Sequence, residues 1–128
     1  MSGVVLACLL DEDLDPGLAD MLDAAGLGWR VTSVRAEGWL GVKNGPLLEA
    51  MAGSRLRVLV TGDRALYGQR RGQLLALHIG VVLVRDPARA GDRIEELARA
   101  IDRVKDGELI EVGAGTQLGG REVREDDP

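Results

Sequence analysis

Carboxylates gather at two places in this chain, each directly after an apolar run. Residues 4–10 (VVLACLL) end on Asp11, Glu12 and Asp13, and residues 56–61 (LRVLVT) end on Gly62 and Asp63. Acids crowded together repel unless a cation stands among them, and oxygen ligands of this kind suit a hard ion such as Mg²⁺ or Mn²⁺. The chemistry in view is therefore metal binding by Asp11 and Asp63, provided the two runs lie side by side and end at the same edge.

The runs themselves argue that they do. Both are short, β-branched and unalternating, as expected of strands buried on both faces of a parallel sheet. In such sheets ligands collect beyond the carboxyl ends of the strands. Asp15 is placed to cap a helix with Pro16 at its first position; Leu18, Ala19, Met21, Leu22 and Ala25 give its apolar stripe, and Gly26 ends it. A second strand is expected over residues 29–34, then a glycine-rich connection over 36–45 and a short helix over 46–52. A third helix follows over 68–78, a fully apolar strand over 81–84, an amphipathic helix over 92–105 and a last strand over 109–112. Strand and helix alternate throughout. That order predicts an α/β fold, a three-layer α/β/α sandwich on a mostly parallel five-stranded sheet with right-handed crossovers. The domain should occupy residues 1–112, with residues 113–128 a loose or hairpin-like tail, glycine-rich and then acidic.

Composition narrows the function classes. The chain of 128 residues is 45% hydrophobic and 29% charged, which fits one globular domain. It has no Phe, and Trp29, Trp39 and Tyr67 are its aromatics, too few for a base-stacking platform. A formal charge of −5 argues against a surface that attracts phosphate everywhere, though not against a local basic patch. Trp39 fits burial against the sheet better than an exposed contact. The single Cys8 lies inside the first apolar run and reads as a small buried hydrophobe, and no Cys/His cluster exists for zinc. No stretch reaches the ~20 apolar residues of a membrane span, and the first residues lack a basic signal-peptide start, so the expected setting is cytoplasmic, with no membrane partner.

Several sharper motifs fail on one residue or another. Asp11, Asp13, Asp15 and Gly17 resemble a calcium loop, but Pro16 stands where glycine is needed and Leu22 where a bidentate Glu is needed. Gly113-Ala114-Gly115 follows the last strand and opens no helix, unlike a dinucleotide fingerprint. A dehalogenase-type phosphatase would use Asp11-Glu12-Asp13 and Thr61, yet it needs a downstream lysine; Lys43 comes too early and Lys105 lies in the last helix. A receiver domain wants a hydroxyl after the fourth strand and a lysine after the fifth, where Arg85 and residues 111–113 stand instead. Both phosphotransfer readings lose the cation that would stabilise a transferring phosphoryl group. The sole histidine, His78, closes a helix and has no positioned nucleophile to serve.

Three stretches carry a resemblance: Leu9-Leu10-Asp11-Glu12-Asp13-Leu14 with Leu18-Ala19 and Leu22 behind it, Arg57-Val58-Leu59-Val60-Thr61-Gly62-Asp63-Arg64, and Gly80-Val81-Val82-Leu83-Val84-Arg85 before an amphipathic helix. Their order and spacing, over residues 4–112, resemble the PIN-like superfamily, within it the small bacterial proteins of the DUF5615 type, with the Mut7-C group as a near relative. The resemblance implies a ribonuclease, often the toxin of a toxin–antitoxin pair, in which an acidic cluster holds Mg²⁺ or Mn²⁺ against a phosphodiester. It assigns Asp11 and Asp63 as catalytic metal ligands; beside them, Glu12 or Asp13 is placed to supply a missing one, Glu12 first. Two positions depart from the pattern: Asn44 stands where an acid usually opens the middle helix, and Ala65 where a second acid often follows Asp63. Arg64, Arg70 and Arg71 come straight after that acid and suit contacts to a single-stranded RNA backbone; they suit a solvated helix face equally. Two function classes stay open at this point. One is a metal-dependent nuclease, the other a PIN-like scaffold with a decayed acid site that pairs with a partner such as an antitoxin, or with itself as a homodimer.

Overall fold

A computed structural model describes residues 6–113. Within them a five-stranded sheet runs β1 (Ala7–Leu10), β2 (Arg30–Ser33), β3 (Val58–Thr61), β4 (Gly80–Val84) and β5 (Leu109–Val112). Its spatial order is β2-β1-β3-β4-β5, and every neighbouring pair is parallel. The helices are α1 (Leu18–Ala24), α2 (Val34–Glu37), α3 (Asn44–Gly53), α4 (Leu66–Ala76) and α5 (Ile94–Arg103), with a 3₁₀ segment over Pro87–Arg93. The fold is α/β with helices on both faces of an all-parallel sheet, in line with the sandwich expected from the sequence. Residues 4–5 of the expected first strand and the expected tail from residue 114 lie outside the described residues.

Two apolar layers account for the unalternating strands. On one face Cys8, Leu10, Val58, Val60, Val82 and Val84 pack under α1 and α5. On the other Ala7, Leu9, Leu59 and Val81 pack under α2, α3 and α4. Each side chain between them is buried, so alternation has no polar side to reveal. No helix among the described residues is long and apolar enough to cross a membrane.

Local chemistry moves some helix starts. Asp15 Oδ1 accepts from Gly17 N at 2.8 Å, closing a turn before α1, so the helix proper begins at Leu18 rather than at Pro16. The expected strand over 29–34 ends at Ser33, and a one-turn helix that the residue pattern does not predict runs from its last residue, Val34, into the start of the glycine-rich connection: Ser33 Oγ accepts from Ala36 N at 3.0 Å, and Gly38, at φ 79°, ends it. The last amphipathic helix starts at Ile94, because residues 87–93 take the 3₁₀ form.

The expectation of uniformly right-handed crossovers fails at one place. α1 joins β1 to β2, while α5 joins β4 to β5 in the opposite lateral direction, yet both helices lie on the same face. Their crossovers therefore have opposite hands, and α5 is the odd one of the four. The 3₁₀ segment makes this turn. A Cβ on Gly62 would lie against the Pro87 ring, so the chain leaving β4 folds back over the end of β3 before entering α5.

Candidate functional site

In this strand order β1 and β3 are neighbours whose onward connections leave on opposite faces, α1 on one and α4 on the other. Such a switch point leaves a crevice beyond the strand ends, the usual ligand position in open parallel sheets. Asp11 and Asp63 both stand there. Register brings Leu10 beside Val60, and Asp11 N continues the ladder to Val60 O at 2.8 Å, so Asp11 sits next to Thr61.

Thr61 joins the two acids. Its hydroxyl is fully buried, donates to Asp11 Oδ2 at 2.6 Å and accepts from Asp63 N at 3.0 Å. Asp11 Oδ1 also accepts from Glu12 N at 2.8 Å. Asp63 Oδ1 accepts from Ala65 N at 3.0 Å, which closes the turn into α4, and its Oδ2 accepts from Asn44 Nδ2 at 3.3 Å. Asn44 opens α3, and the departure from an acid there leaves a neutral amide on the Asp63 carboxylate. Ala65, the other departure, contributes its backbone N–H to the same group.

Asp13 completes the cluster, and Glu12 turns elsewhere. Asp13 Oδ2 accepts from Gly62 N at 3.0 Å. Its pKa is raised from 3.8, chiefly because surrounding protein desolvates it and then because of the charge on Asp11; Asp63 adds a smaller push the same way, and the Gly62 N–H opposes it. Asp13 thus feels the charges of both Asp11 and Asp63. Glu12 Oε1 instead accepts from Gly41 N at 3.1 Å, tying β1 to the connection before α3. Among the described residues no group of three or more His, Cys, Asp or Glu side chains is arranged to hold a metal ion. The oxygens that a cation would meet are those of Asp11, Asp63 and Asp13, each already using part of its acceptor capacity on protein donors. A carboxylate offers about four lone-pair positions, so each acid keeps acceptor capacity beyond these bonds, though the three do not form a cage of protein ligands; an ion held there would keep several of its waters, as Mg²⁺ does.

The three arginines expected at the substrate do not converge. Arg64 is exposed on the turn after Asp63. Arg70 interrupts α4 with non-helical angles (φ −125°, ψ 19°), and its guanidinium lies against Gly45, one residue from Asn44. Arg71 goes the other way: its guanidinium stacks 5.6 Å from the centre of the Tyr67 ring, whose hydroxyl donates to Gly107 O. Arg70 thus lies at the start of α3 beside Asn44, while Arg71 is turned to Tyr67 instead.

Other chemical residues lie apart. Burial pushes the Cys8 thiol up to about 12, which leaves it inert at neutral pH. His78 pairs with Asp106 at 3.2 Å at the amino edge of the sheet, the edge opposite the acids. Glu49 points to Gln73 across α3 and α4, and Trp39 is half-buried against the core. Sequence reasoning missed the bridging role of Thr61. The signal was present: strand alternation sets Asp11 on the side of Leu9 and Thr61 on the side of Leu59, and equal run ends place the two together. Compared with known proteins, the chain matches no family model, no curated protein and no solved structure.

Proposed function

We propose that this chain is a PIN-like, divalent-metal-dependent ribonuclease acting on single-stranded RNA in the cytoplasm, of the kind that serves as a toxin restrained by an antitoxin protein. The observation that carries the reading is the Thr61 bridge, which fixes Asp11 and Asp63 together at the switch point of a parallel sheet. Asp11, Asp63 and Asp13 would hold Mg²⁺ or Mn²⁺. When bound, such an ion supplies positive charge against the developing phosphorane oxygens and makes water nucleophilic at neutral pH.

The chain's own residues do the rest. Thr61 holds Asp11 in one rotamer, and Ala65 N with Asn44 Nδ2 orients Asp63. Arg70 and Arg64 present positive charge beside the acids, where phosphate oxygens of an RNA strand would lie. In the test, purified protein is incubated with unstructured RNA and Mn²⁺ or Mg²⁺. Turnover should require the metal, stop with chelator and vanish in Asp11→Asn, which removes a charge and keeps the shape. Cleavage that persists at full rate in that variant refutes the mechanism.

One observation favours a second reading. The Asn44 amide caps an Asp63 oxygen, and among the described residues no group of three or more His, Cys, Asp or Glu side chains is arranged to hold a metal ion. A decayed PIN-like scaffold that binds a partner or a second copy would keep the fold and lose the ion. Millimolar Mn²⁺ then fails to bind at all, which separates the two readings without any RNA.

A further inference from the structure

The sheet edge that carries the acids continues into a second feature. A cavity of about 600 Å³ opens at the carboxyl ends of β4 and β5, walled by Arg85, Arg89 and Arg93 together with Asp86 and Asp92. Its floor is Val84 and Val112, the last residues of the two strands. Among the described residues no aromatic ring lines it, and none of them offers a surface on which a base can stack.

Three guanidinium groups on one cavity are the chemistry to explain. Each holds a carboxylate through one nitrogen: Arg85 Nη1 to Glu111 at 3.9 Å, Arg89 Nε to Asp92 at 3.0 Å, and Arg93 Nη1 to Glu96 at 3.2 Å. These side chains are 41%, 72% and 41% exposed, and solvent-exposed pairs of this kind hold weakly. A guanidinium carries five N–H donors, so most of each fork remains for an incoming anion, and its planar geometry matches phosphate oxygens. Their charge does not depend on pH in any ordinary range.

Position ties the cavity to the acid crevice. The Pro87 ring, on the segment that supplies Arg89 and Arg93, lies against Gly62 at the end of β3. β5 stands two strands from β3, a spacing of about 10 Å across a sheet. A strand of nucleic acid crossing the acids would pass from Asp11 and Asp63 over β4 to the arginines within a short run of nucleotides.

We propose that the Arg85–Arg89–Arg93 cavity binds backbone phosphates of single-stranded RNA to one side of the bond that the acid cluster addresses. The inference rests on the nuclease reading above and adds to it where the strand lies. Asp86 belongs to the same wall, caps no helix with its side chain and makes no ion pair among the described residues. It therefore opposes phosphate there with nothing in return.

The test is fluorescence anisotropy of the full chain with fluorescein-labelled oligouridine in EDTA, where no cleavage can occur. Arg89→Gln with Arg93→Gln should weaken binding on the order of tenfold or more and lower the slope of log affinity against log salt by about 1.4, roughly 0.7 for each phosphate of a single strand left without its arginine. Arg103→Gln, at the far end of α5, should change neither. Asp86→Asn should tighten binding, a gain that a misfolded protein cannot give. RNA binding absent from the wild-type chain, or unchanged in the double arginine variant, overturns the proposal. Where that double variant fails to fold, Asp86→Asn decides, and unchanged affinity overturns it. Metal-dependent turnover is measured separately, so a chain that binds through these arginines and never cleaves refutes the nuclease reading alone.

Discussion

Replacing Thr61 by Val tests whether the site is held as described. The change keeps the volume of a fully buried side chain and removes one hydroxyl that serves two acids. The bond to the ionised Asp11 carboxylate, at 2.6 Å, belongs to the charged class, worth about 1.5–3 kcal/mol. The Asp63 N–H loses its acceptor as well, at about 0.5–1.5 kcal/mol for a neutral bond. Asp11 is half-exposed and regains some water, so the sum should fall at about 2–4 kcal/mol, a large share of the ~5–15 kcal/mol of a typical domain. Thr61→Ser keeps the hydroxyl and loses a methyl, costing about 1 kcal/mol. Urea denaturation with unchanged slope measures both. In an Asp11→Asn background the charged part of the bond is already gone, so Thr61→Val should cost about 1–2 kcal/mol less than in the wild type. A cost within about 0.5 kcal/mol of zero, or the same cost in both backgrounds, refutes the bridge.

Two further substitutions probe the charges. Asn44→Asp exchanges the amide on Asp63 for a further carboxylate; Mn²⁺ affinity by calorimetry should rise on the order of tenfold, and the melting temperature without metal should fall, because ligand charge tunes hard-cation binding and like charges repel. Unchanged affinity and stability place the position outside any metal site. Asp13 titrates above its ordinary 3.8 in the fold, so the unfolded chain holds fewer protons between the two values, and stability falls as pH rises through that window. Asp13→Asn removes this loss while keeping an oxygen for Gly62 N; thermal melts should match wild type at about pH 3 and exceed it at about pH 7 without metal. A variant no more stable than wild type at the higher pH contradicts the raised pKa.

The inner strands were legible because double-sided burial writes itself as unbroken apolar runs: residues 81–84 needed no partner to be recognised, whereas 109–112, at the sheet edge, carry the exposed Glu111 and are fully buried only at Val112. Helix starts were less so. α4 begins at Leu66, two residues before the expected Gly68, after a turn that Asp63 Oδ1 closes by accepting from Ala65 N, the turn-forming role open to an acid beyond a strand end. α2 is a single turn, too short for periodicity to register. The hand of the α5 crossover has no local signal, and the approach of Pro87 to Gly62 that accompanies it joins residues 25 positions apart in the chain. At the site the pairing of Asp11 with Asp63 followed from two like strand ends. The divergence of Arg70 from Arg71 did not, because it arises at non-helical angles inside α4 that no side-chain pattern marks.

The Asn44 amide bears on both readings of the site, and its geometry limits how strongly it can favour either. At 3.3 Å the bond to Asp63 Oδ2 is long for an N–H donor and an ionised oxygen. A donor held so loosely stabilises the carboxylate without metal but yields it readily to a more attractive charge. An ion that demands several bare protein ligands would need the missing acid and would find the site incomplete. Under the proposed reading, Mg²⁺ would keep most of its waters and meet Asp63, Asp11 and Asp13 through them, with the protein donors left in place. Incomplete in acids is therefore not incomplete for a hydrated ion. The Asn44→Asp titration measures this directly: if the native amide already permits binding, the added charge strengthens an affinity that exists, and if the site has decayed, it creates one from none.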